Sequence, residues 1–111
     1  MTIEEENEEN VQEESKEKEK ISVYRTPLFT KLYATNLRVF RTDVDFRIEL
    51  FNEKFESEEE TVFYSDGIAM LTPEAAKKLM VELTRAVEKY ELENGEILVR
   101  EERKNCEFAD E

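Results

Sequence analysis

The sequence has no histidine and no tryptophan, one cysteine, two glycines and two prolines. Each shortage removes a class of chemistry. Without histidine there is no imidazole base, no Cys–His or Ser–His pair and no imidazole metal ligand. The lone Cys106 cannot close an intramolecular disulfide or contribute to a cysteine zinc site. Acidic residues around it keep a thiol protonated, the reverse of an activated nucleophile. No glycine-rich phosphate loop and no nucleophile elbow can be assembled from two separated glycines, Gly67 and Gly95. No apolar run approaches the roughly 18 residues of a membrane span. The acidic N-terminus lacks the apolar core of a signal peptide. Together these shortages predict a cytoplasmic chain that is not an enzyme. They predict no catalytic residue, no metal, no cofactor and no membrane partner.

What is abundant is acid. The 111 residues carry a net charge of −13. Residues 1–20 contribute −6, residues 21–96 contribute −5 and residues 97–111 contribute −2. Residues 1–20 hold nine Glu and three Lys with only Met1, Ile3 and Val11 as aliphatics, too little apolar surface to offset ordering entropy. They are expected to be a disordered acidic tail. The tail reads as a solvating segment, with a docking arm for a basic partner or a polyanion mimic as the sharper readings. Residues 101–111 are expected to form a second disordered, charged tail, which leaves 21–100 as a single α+β domain. A core of about 75–80 residues buries only about 60–65% of its unfolded surface, so it gains from pairing. High Glu and Lys with a single Gln is also the compositional bias of thermophiles.

Along the domain, residues 21–30 alternate at Ile21 and Val23 and are then interrupted by Pro27, an extended arm or short edge strand. Residues 31–42 are β-branched and aromatic and read as a first strand; Thr42-Asp43 is a turn. Residues 44–55 alternate as a second strand, and Glu56–Glu60 is a charged loop. Residues 61–71 read as a third strand in which Gly67 marks a bulge or the close approach of another backbone. Thr72-Pro73-Glu74 starts a helix, since Thr caps, Pro suits the first helical position and Glu meets the positive end. Asn94-Gly95 stops it. Ala76, Leu79, Met80, Leu83, Ala86, Val87 and Tyr90 form its apolar stripe. Residues 97–100 offer a further short strand. The predicted fold is a three-stranded antiparallel meander packed on one long C-terminal helix in two layers.

If parity assigns the faces, both are apolar. Even positions such as Phe46, Ile48 and Leu50 face the helix stripe. Odd positions include Leu37, Val39, Phe51 and Phe63, which are expected to form a self-association face. That face needs a cover, the 21–30 arm, the segment 97–100 or a second subunit, and a twofold dimer is the favoured expectation.

In order along the chain stand Tyr33-Ala34-Thr35-Asn36, Asp45-Phe46-Arg47, Leu71-Thr72-Pro73-Glu74-Ala75-Ala76-Lys77, Glu88-Lys89-Tyr90-Glu91 and Gly95. This pattern resembles a small bacterial and archaeal family known only as a conserved domain of unknown function. Its members look like Tyr-Ala-Asn, Asp-Phe, Ser-Pro-x-x-Ala-Lys and a helix ending in Tyr-Glu and Gly. The resemblance covers residues 32–96, with Thr35 inserted and Thr72 in place of Ser. It implies a fold and no activity.

Few polar residues invite a role. Asp66 shares parity with Asn36 and Arg38, so a structural polar cluster of Asn36 and Asp66 is expected. Asp43 and Asp45 read as turn and solvated-face aspartates rather than a cation site. Arg38, Arg41 and Arg47 with Tyr33 and Phe40 give the first two strands a basic, aromatic character suited to single-stranded bases. Net negative charge opposes phosphate binding. The leading expectation is therefore a non-catalytic, self-associating interaction module with a protein partner. The alternative is a nucleic-acid- or ribosome-associated protein using those three arginines.

Overall fold

The computed structural model describes residues 18–104 and Phe108. The expected disorder of 1–20 falls almost wholly outside these residues, as does Cys106. The chain divides into two units, residues 1–31 and 32–111. In the first, residues 18–26 carry no regular structure and Pro27-Leu28 makes a turn. Phe29 N donates to Thr26 O at 2.9 Å, and the Arg25 guanidinium lies 4.3 Å from the Phe29 ring centre.

The second unit is α+β. Strands β1 (Asn36–Arg41), β2 (Phe46–Phe51), β3 (Phe55–Glu56), β4 (Thr61–Val62) and β5 (Ser65–Leu71) precede helix α1 (Pro73–Asn94) and a short α2 (Glu101–Lys104). β1, β2 and β5 form one antiparallel sheet in the order β1-β2-β5, and β3 pairs with β4 in a two-stranded sheet. The expected meander and long helix are present. The strands are shorter than expected, and residues 97–100 form no strand.

The shortening has an identifiable cause. Beyond Phe51, Asn52 takes over the hydrogen bonds that a continued ladder would make. Its Oδ1 accepts from Thr35 N at 2.9 Å, and its Nδ2 donates to Tyr33 O at 3.4 Å. The side chain thus ties down the segment before β1 without strand pairing. Opposite, the β2–β5 register slips by one residue between Leu50 and Phe51. Leu50 faces Gly67 while Phe51 faces Ser65, leaving Asp66 as the extra residue. A Cβ on Gly67 would lie 3.3 Å from Leu32 Cδ1, so glycine here lets a neighbouring side chain press close to the strand.

Thr72 is the only residue between β5 and α1. Its Oγ1 accepts from Ala75 N at 3.1 Å and its carbonyl from Ala76 N at 2.9 Å. At the other end Gly95, at φ 95°, donates its N–H to Glu91 O at 2.8 Å. That backbone conformation favours glycine. Connections of one residue are shorter than the usual two to six between strand and helix. Most of the apolar stripe is left open. Ala76 and Val87 are partly covered, whereas Leu83 is 53% exposed and Met80 55%. No helix among the described residues is long and apolar enough to cross a membrane.

Candidate interaction surface

The β1–β2 hairpin closes through four residues, Thr42 to Asp45, with Arg41 paired to Phe46. Thr42 organises the turn. Its Oγ1 accepts from Val44 N at 3.2 Å and from Asp45 N at 3.1 Å, and donates to Asp45 Oδ1 at 2.7 Å. Arg47 grips the same carboxylate twice, Nε to Oδ1 at 3.1 Å and Nη2 to Oδ2 at 3.3 Å. The Arg47 and Thr42 hydrogen bonds hold the Asp45 carboxyl below its ordinary value.

An even-numbered loop between antiparallel strands sets odd positions of one strand beside even positions of the next. Cross-strand partners share a face. One face therefore carries Leu37, Val39 and Arg41 from β1, Phe46, Ile48 and Leu50 from β2, and Gly67, Ala69 and Leu71 from β5. Arg41 is its single charge. The other face carries Asn36, Arg38 and Phe40, then Arg47, Glu49 and Phe51, then Ile68 and Met70. The parity rule used on the sequence fails at this point, because it ran through the turn unchanged.

The four expected self-association residues are accordingly split. Leu37 and Val39 lie on the apolar face, 50% and 60% exposed. Phe51 lies on the mixed face and is the one buried hydrophobic side chain among the described residues, 2% exposed. Phe63 stacks on it with ring centres 4.4 Å apart. Phe108 completes the cluster at 5.8 Å from Phe51 and 6.0 Å from Phe63. The segment read from sequence as a charged tail thus supplies a helical turn, Glu101–Lys104, and an aromatic cover. Its charge density masked the one large apolar ring within it. Arg103 of α2 pairs with Glu53, which also accepts from Thr35 Oγ1 at 2.8 Å.

The expected Asn36–Asp66 cluster also resolves differently. Asp66 Oδ2 accepts from Asn52 Nδ2 at 3.2 Å, and Asn36 Oδ1 accepts from Leu37 N at 2.8 Å. Asn52 was not singled out in the sequence. The signal that could have found it is an amide at the point where the β2 alternation breaks.

On the mixed face, Arg38 and Glu49 form an ion pair at 2.7 Å, their side chains 14% and 13% exposed. The Arg38 guanidinium also lies 5.1 Å from the Phe40 ring centre and 4.7 Å from that of Phe108. Arg47 is engaged with Asp45. Arg41 sits across the sheet from both, so the structure does not gather the three arginines into one basic patch. Among the described residues no group of three His, Cys, Asp or Glu stands close enough to hold a metal ion. A shallow cleft of about 300 Å³ beside Phe63 is lined by Asn36, Glu53, Lys54, Glu56, Glu102 and Arg103. It contains no nucleophile–base pair.

No curated protein and no solved structure matches the chain significantly. The profile of one family, described as a protein of unknown function (DUF3467), matches residues 1–99 and so extends to the acidic N-terminal segment. The chain belongs to this family of unknown function, DUF3467.

Proposed function

We propose that the chain is a non-catalytic, self-associating protein-interaction module working in an aqueous, cytoplasmic setting. The observation that carries this reading is the apolar sheet face, on which Leu37 and Val39 are exposed and Phe46, Ile48 and Leu50 are only half-buried. Leu37, Val39, Phe46, Ile48, Leu50 and Ala69 share one side of the sheet with a single charge among them. Burying such side chains contributes roughly 1.5–3 kcal/mol each. A small domain in which Phe51 is the one buried hydrophobe among the described residues gains stability by covering that face. The lack of histidine and the paired state of Asp45 and Glu49 support a binding role over catalysis.

Sedimentation equilibrium of the full chain tests the reading. The expected mass is twice the 13.2 kDa of one chain at micromolar concentration. A single-chain mass persisting at high micromolar concentration would overturn it.

A further inference from the structure

Two apolar surfaces of this chain lie open at once. One is the edge of the apolar sheet face at Leu37 and Val39, beside the half-buried Ile48; the other is the α1 stripe, with Leu79, Met80, Leu83 and Tyr90 each more than a third exposed. Thr72 alone joins β5 to α1, and of the stripe only Ala76 and Val87 are partly covered. Resting on the self-association reading, we propose that the partner is a second copy bound by reciprocal exchange. The α1 stripe of each copy lies across the apolar sheet face of the other.

Dimensions favour exchange over a one-way contact. Strands of six or seven residues at about 3.4 Å each, three abreast at about 4.8 Å, give a face of about 300 Å² in projection. A helix of 22 residues is about 33 Å long and about 10 Å wide, enough to cross that face on its diagonal. One helix on one face buries two such areas, about 600 Å², less than specific interfaces require. Reciprocal docking buries four, about 1,200 Å², which reaches the specific range. The exchange is also isologous, so it closes at two copies and leaves neither of these two surfaces to recruit a third.

Cross-linking tests the geometry separately from the stoichiometry. In a full-length Cys106→Ser background, one chain carries Val39→Cys and another Leu83→Cys, and the two are refolded together. A bismaleimide of about 10 Å span should join Val39→Cys chains to Leu83→Cys chains. The mixed product should exceed either like-to-like product at least ten-fold. Leu37→Cys with Met80→Cys repeats the measurement at neighbouring positions should the first pair fail to fold. Dimeric mass with only like-to-like products, or with no mixed product at either pair, overturns the exchange and leaves self-association standing. A single-chain mass for the wild type overturns both.

Discussion

Phe51 concentrates the packing of the sheet in one side chain. Its ring is 2% exposed and touches Phe63 and Phe108. Phe51→Ala should therefore cost about 3–5 kcal/mol, read as a lower urea midpoint. Phe108→Ala removes only the outer ring and should cost less, about 0.5–1.5 kcal/mol from the aromatic contacts. Equal losses would show that the three rings do not pack in this order. Asp45 offers a second residue-scale measurement. Arg47 and Thr42 lower its carboxyl pKa below the ordinary 3.8. A lowered folded-state pKa stabilises the folded state at pH above the unfolded value, and that contribution is lost as pH falls through the folded value. An NMR titration of the Asp45 carboxyl should therefore give a midpoint below 3.8. Arg47→Ala should move that midpoint up toward the ordinary value, because the first cause of the shift is gone.

Helix α1 is held at both ends by devices that can be removed singly. Thr72→Ala deletes the acceptor for Ala75 N and should cost about 0.5–2 kcal/mol. Gly95→Ala places a Cβ where φ is 95°, which should cost more than the roughly 0.4–1 kcal/mol that glycine replacement returns at compatible sites. Thermal melts of both variants check the order. These ends were legible in the sequence because caps and stops are local: Thr-Pro-Glu and Asn-Gly carry their chemistry within a few residues. The irregularity at Gly67 was legible for the same reason. The pairing of faces was not, because it depends on the number of residues in the Thr42–Asp45 loop rather than on either strand. The ends of β1 and β2 were also hidden. Leu32 to Thr35 look like strand by composition, but Asn52 satisfies that backbone from a side chain 17 residues away. The cover from Phe108 is equally non-local.

At the scale of the whole molecule, the exposed stripe makes stability depend on protein concentration. In an isolated chain Leu83 is 53% exposed, so Leu83→Ala should change stability by no more than about 0.5 kcal/mol. In an assembled pair the same change should cost about 2–5 kcal/mol. Melting curves of wild type and Leu83→Ala at several concentrations should therefore diverge as concentration rises. Charge sharpens the measurement. Each chain carries −13, so two chains repel, and added salt should leave the pair unchanged or tighten it. A nucleic-acid complex would weaken steeply instead. The aromatic cluster has one more consequence, in time rather than energy. Phe108 follows Phe51 by 57 residues, whereas Phe63 follows it by 12. A ribosome adding about 5–20 residues per second makes the second ring within about 3 s and the third only after about 3–11 s. Until Phe108 has been added, a growing chain cannot close the aromatic cluster over Phe51.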